Sequence, residues 1–149
     1  MPGIFCWPGH IPAGQVIDEP CAAMDVFPTL LKLAGGDPAN YDIDGLDIAP
    51  VLMEGKETPH KELYWEMEQQ TAMRQGNYKL VLNGQLVESE EPQDKVFLAD
   101  LSTDPGENVN LAEQMPELVE EMTQKATAWR AGIEKTWEEK FAQAYRTLA

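Results

Sequence analysis

Two neighbouring runs, Leu63-Tyr64-Trp65-Glu66 and Ala72-Met73-Arg74-Gln75-Gly76-Asn77-Tyr78-Lys79-Leu80-Val81, constrain this chain more than any other stretch. Short strand-like segments meet at a Gly-Asn pair, so Arg74 and Lys79 take fixed places on a hairpin. Alternation sets Ala72, Arg74 and Gly76 on one side, with Thr71, Met73 and Gln75 on the other. After the turn, Tyr78, Leu80 and Leu82 face away from Lys79, Val81 and Asn83. Strands are predicted at about 62–67, 71–75, 78–83 and 96–99, which together make a small antiparallel sheet.

Beyond Met115 the period changes. Leu118, Met122, Ala126, Trp129, Ile133, Trp137 and Phe141 recur every three or four residues, the single apolar stripe of one long helix that Pro116 can open. Packing across the sheet is the expected use of that stripe. A shorter helix is expected after Asp25, a suitable N-cap, with Val26, Leu30, Leu33 and Ala34 as its apolar face and Gly35-Gly36 as its stop. The stretch 37–59 is rich in Pro, Gly and Asp, with a short helix predicted at about 48–53. Near the start, Ile4, Phe5 and Trp7 read as a buried strand over residues 3–7, followed by an extended piece near 16–21. The expected fold class is α+β: a small antiparallel β-sheet packed by a long C-terminal helix, in a single subdomain over 1–149.

Composition narrows the function. The net charge of -15 leaves no basic patch to displace counterions from a nucleic acid. It also repels anionic ligands at long range, so any capture of one must be local. No apolar run is long enough to cross a bilayer, and no membrane partner is expected. Two cysteines, Cys6 and Cys21, make no disulfide framework. His10 and His60 lack the spacing of a metal pair and read as loop residues.

The hairpin phrase resembles the C-terminal part of the sulfatase family, and four other segments resemble that family in the same order. These are Pro2-Gly3-Ile4-Phe5-Cys6-Trp7-Pro8-Gly9; Asp25-Val26-Phe27-Pro28-Thr29-Leu30-Leu31-Lys32-Leu33-Ala34-Gly35; Asp44-Gly45-Leu46-Asp47 with Pro50-Val51-Leu52; and Phe97-Leu98-Ala99-Asp100-Leu101 with Asp104-Pro105-Gly106-Glu107 and Asn110-Leu111-Ala112. The resemblance implies a hydrolase of sulfate esters that uses formylglycine, made from a Cys or Ser in a C/S-x-P-x-R motif, with calcium beside it. In the family those groups precede the first of these segments, so the catalytic half is expected to lie outside this chain, and the isolated chain is expected to be inactive. The missing catalytic domain is then the expected partner.

Cys6-Trp7-Pro8-Gly9-His10 imitates the nucleophile motif but puts His10 where the permanently charged Arg fork belongs, and the catalytic reading is set aside. The resemblance also places Trp65-Glu66-Met67-Glu68-Gln69-Gln70-Thr71 near the family's substrate pocket, which makes Glu68 and Gln70 the candidate substrate-binding residues. Trp65 is expected in the core, and Arg74 is expected to pair with an acid across the sheet. Two rivals stand beside this reading: a stand-alone binding or assembly module, and part of a phosphate or phosphonate ester hydrolase of the same superfamily. An apolar patch of Ile4, Phe5 and Trp7, open in the isolated chain, is expected to drive homo-oligomer formation.

Overall fold

The computed structural model describes residues 3–85 and 94–141, which fall into two compact units, Met1–Lys61 and Glu62–Ala149. The second unit holds the antiparallel sheet, β1 (Glu62–Met67), β2 (Gln70–Gln75), β3 (Tyr78–Gly84) and β4 (Asp94–Asp100), in the order β1-β2-β3-β4. Gln75 pairs with Tyr78, so Gly76-Asn77 is a two-residue turn, and Gly76 supplies the positive φ of 57° that such a turn needs at its first position.

The pleat sorts the side chains as alternation requires. Met73, Leu80 and Leu98 lie in register across three strands and are fully buried. Helix α3 (Pro116–Lys140) covers them with Met122 and Ala126, and Tyr64, Leu82, Val96 and Leu118 close the rim. Each large apolar side chain buried here contributes about 2 kcal/mol. The stripe outruns the sheet, however. Trp129 stacks on Tyr64 with ring centroids 5.2 Å apart, but Ile133, Trp137 and Phe141 further along are exposed.

The loop after β4 is tied down by two side chains. Asp104 accepts from the backbone N–H groups of Asn108 and Val109 and from Asn108 Nδ2. Asn110 Oδ1 accepts from Leu98 N at 3.1 Å and Ala112 N at 2.9 Å, while its Nδ2 donates to Val96 O at 3.0 Å. These bonds give the D-P-G-E and N-L-A phrases a structural purpose.

In the first unit, α1 (Val26–Leu33) and α2 (Ala49–Glu54) appear where expected. Two sequence expectations fail there. Residues 3–7 form no strand, because their backbone groups find no ladder partner among the described residues, and Ile4, Phe5 and Trp7 are all exposed. That exposure fits the open patch but not the buried strand. Helix α1 also turns the other way round: Pro28 and Thr29 are buried, whereas Val26, Leu30, Leu33 and Ala34 face outward.

The reason lies in Asp25. Its carboxylate does not cap α1; it accepts instead from Ala22 N at 2.7 Å, from Leu46 N at 2.9 Å and from His60 Nε2 at 2.8–2.9 Å. Thr29 Oγ1 donates to Asp25 O and accepts from Ile48 N, so a polar network draws this side of the helix inward. Gly45 makes the close approach possible, since a Cβ there would stand 2.1 Å from Met24 O. No helix among the described residues is long and apolar enough to cross a membrane.

Candidate substrate-facing hairpin

The turn between β1 and β2 carries the residues that the sequence singles out. Met67 pairs with Gln70, leaving Glu68-Gln69 as the turn, and Glu68 adopts a left-handed φ of 51°. A side chain other than Gly is strained there by about 1 kcal/mol. Arg130, on α3, holds the turn in place. Its Nη1 donates to Gln70 O at 3.0 Å and Thr71 Oγ1 at 2.8 Å, and its Nη2 donates to Glu68 O. Its Nε donates to Glu134 Oε1 at 3.1 Å, with Glu66 Oε2 4.0 Å away.

Between this turn and the outer end of α3 lies a groove of about 700 Å³, lined by Met67, Glu68, Arg130, Ile133, Glu134 and Trp137 among others. Its carboxylates accept hydrogen bonds, and of its two cations Arg130 is engaged by backbone and carboxylate oxygens, while Lys135 lies 3.9 Å from Glu139. Such a wall suits hydroxyl donors rather than a bare anion. Gln70 does not join Glu68 in it. The Gln70 side chain accepts from Gln85 N at 3.0 Å and borders a separate hollow of about 420 Å³ with Lys79 and Glu107. Thus the structure divides the two candidates between different surfaces.

Other expectations change as well. Trp65 is 45% exposed rather than in the core, because it stands on the sheet face that α3 does not cover. Among the described residues Arg74 pairs with no acid; its Nε donates to Gly76 O at 3.0 Å, while the neighbouring Lys79 takes Glu107 at 2.6 Å. His60 occupies a loop, as expected, but its side chain is 5% exposed and bound to Asp25. Two residues thirty-five positions apart carry no local spacing signal, so sequence reasoning missed the pair.

A charged cluster braces the opposite end of the sheet. Lys125 Nζ reaches Glu62 and Glu121 at 2.8 Å each and Gln75 Oε1 at 2.9 Å, and Tyr64 donates to Glu62 at 2.5 Å. The bonds from Lys125 and then Tyr64 hold the Glu62 carboxyl below its ordinary range. Burial, reinforced by the bond to Glu62, pushes the Tyr64 hydroxyl up to about 12.

Neither implied catalytic group fits the described residues. His10 is stacked on Trp7 with ring centroids 3.9 Å apart, and its imidazole lacks the planar, permanently charged fork that an Arg would set beside Cys6. Burial and the nearby Asp25 and Glu19 raise the Cys21 thiol, which disfavours its thiolate. Among the described residues, no three His, Cys, Asp or Glu side chains converge as calcium ligands would.

An antiparallel four-stranded sheet packed by one long helix, with this hairpin phrase and its D-P-G-E and N-L-A loop, defines a C-terminal sulfatase subdomain. The chain belongs to the family described as N-sulphoglucosamine sulphohydrolase, C-terminal, whose pattern it matches over residues 1–132. It is 34% identical over 143 residues to arylsulfatase A of Bos taurus, covering 83% of this chain and 28% of that protein. It is 43% identical over 79 residues to N-acetylgalactosamine-6-sulfatase of Sus scrofa, covering 52% of this chain and 15% of that one. The crystal structure of Ps i-CgsB superposes with a TM-score of 0.66 at 25% identity, over 83% of this chain and 27% of that one. The phosphonate monoester hydrolase of Agrobacterium radiobacter superposes at 0.53 with 22% identity, over 80% of this chain and 27% of that one, a likeness of fold alone. The chain therefore spans less than a third of the length of each.

Proposed function

We propose that this chain serves as the C-terminal part of a hydrolase of sulfate esters, bracing a catalytic domain and walling one side of its pocket. The observation that carries the reading is the match to arylsulfatase A across 83% of the chain. Formylglycine and calcium would belong to the catalytic domain, and no step of the reaction is assigned to residues of this chain. Its contribution is binding. Glu68, at the rim of the groove beside α3, is suited to accept a hydrogen bond from a substrate hydroxyl. Gln70, whose side-chain oxygen already serves Gln85 N, would act from the neighbouring hollow.

The test is direct. The purified chain is expected to turn over neither an aryl sulfate nor an aryl phosphonate, and its intact mass is expected to show Cys6 unconverted. Sulfate ester turnover that disappears in Cys6→Ser would overturn the reading. Turnover of the phosphonate alone would move the chain to the rival hydrolase class.

A further inference from the structure

We propose that Asn83 is a site of spontaneous covalent modification, where the backbone of Gly84 converts the side-chain amide to isoaspartate or aspartate, and that the change releases the β1–β2 turn from β3. The proposal stands on the sheet unit alone and goes beyond the function proposed above. An asparagine amide can be attacked by the backbone nitrogen of the residue that follows it. A side chain on that residue crowds the approach, and glycine has none. Of the five asparagines, Asn40 and Asn77 precede Tyr, Asn108 precedes Val and Asn110 precedes Leu; only Asn83 precedes Gly.

Placement adds to sequence. Asn83 is exposed and sits where the ladder lapses: Leu82 pairs with Val96 and Gly84 with Asp94, while Asn83 between them takes a left-handed φ of 55°. Its side chain is lightly held. Asn83 Nδ2 donates to Gln69 O at 3.4 Å, beyond the usual range of an N–H···O bond. By contrast, Asn108 Nδ2 lies 2.9 Å from Asp104 Oδ1, and Asn110 Nδ2 lies 3.0 Å from Val96 O. Asn83 can therefore turn its amide toward its own backbone by giving up one weak bond.

In the reaction the Gly84 nitrogen gives its proton to water and bonds to Asn83 Cγ; the Cγ–Nδ2 bond breaks and ammonia leaves. Water then opens the cyclic imide at either carbonyl. One water is consumed and one ammonia released, with no change of oxidation state. Both products put a carboxylate where Nδ2 donated, so acceptor faces acceptor across the Gln69 contact. Isoaspartate also adds a methylene to the main chain before Gly84. That displaces Gln85, whose N–H donates to Gln70 Oε1 at 3.0 Å. The Glu68-Gln69 turn then keeps its hold from Arg130 and loses the one from β3.

Ageing the 149-residue chain tests this. The chain is held in warm buffer, folded and in denaturant, and each asparagine is followed by peptide mass with fragmentation that separates isoaspartate from aspartate. In the folded chain Asn83 is expected to convert about tenfold or more faster than any other asparagine, because only Gly84 offers an attacking nitrogen uncrowded by a Cβ. Gly84→Ala is expected to remove most of that excess. Its Cβ would lie 3.0 Å from Val81 Cγ1, so Asn83→Gln, which must close a larger ring, is the second control and is expected to stay intact. Aged chain, separated by its added charge, is expected to exchange the amide hydrogens of Gln69, Gln70 and Gln85 several-fold faster than unaged chain, as local opening becomes easier. Asn83 that stays intact in the folded chain while converting in denaturant overturns the proposal. A converted chain whose exchange at those three amides is unchanged overturns the release of the turn. Either failure leaves the sulfate ester reading standing.

Discussion

His60 Nε2 lies 2.9 and 2.8 Å from the two carboxylate oxygens of Asp25, a contact that pins the segment before β1 to the start of α1. Asp25 also accepts from Ala22 N and Leu46 N, so its removal would strand three donors at once. Asp25→Ala is expected to cost about 3 kcal/mol, the scale for breaking a buried pair. Limited proteolysis should register it as faster cleavage within residues 1–61, with the sheet unit spared. Equal cleavage of wild type and variant would refute the role.

Glu68 and Arg130 give a second prediction. Glu68→Gly relieves the left-handed strain and is expected to stabilise the sheet unit by about 0.5–1 kcal/mol, less than the full strain because Gly also loosens the unfolded chain. Arg130→Met removes donors to Glu68 O, Gln70 O and Thr71 Oγ1, and is expected to destabilise it by about 2 kcal/mol. Its cost should be smaller in the Glu68→Gly background, since that turn needs less holding. Additive denaturation midpoints would show that the two residues are not coupled.

The Lys125 cluster predicts how stability follows pH. Glu62 has its carboxyl pKa lowered, so its contribution is full above the ordinary value of 4.5 and fades as pH falls through the folded value. The stability gap between wild type and Lys125→Met should therefore be steady at neutral pH and close in acid. Tyr64 is raised from 10.0 to about 12, so its contribution is full below 10 and is lost as pH rises through 12. Tyr64→Phe should flatten that alkaline loss. Chemical denaturation at a series of pH values measures both, and a gap that widens in acid would contradict the assignment.

Asn110 gives a fourth. Three of its side-chain bonds hold the loop to the backbone of β4 or to Ala112, and Asn110→Ala is expected to cost about 2 kcal/mol. Asn110→Asp keeps the acceptor but loses the donor to Val96 O, and should fall between the two. An Asn110→Ala protein that melts with wild type would rule this out.

The sheet and α3 were legible because each follows one period from end to end: alternation through Thr71, Met73, Leu80 and Leu82, and helical steps from Leu118 to Trp129. Helix α1 was legible as a helix but not in its orientation. Its stripe is genuine, yet the network around Asp25 decides which side goes in, and the partners of that network are remote in sequence. The same holds for the hairpin site. The resemblance pointed to Glu68 and Gln70, but Arg130, sixty residues beyond Gln70, holds the turn that separates them.

Asn110 has one more consequence. Strand β4 ends the sheet, and on its open side Leu98 N and Val96 O meet the Asn110 side chain, while Leu98 O accepts from Leu111 N at 2.8 Å. A single amide imitates the hydrogen-bonding edge of a fifth strand and stops the ladder there. Outward groups left bare would be a template for a strand from another molecule, the first step of edge-to-edge aggregation. With those groups occupied, β4 is closed to recruitment along that stretch.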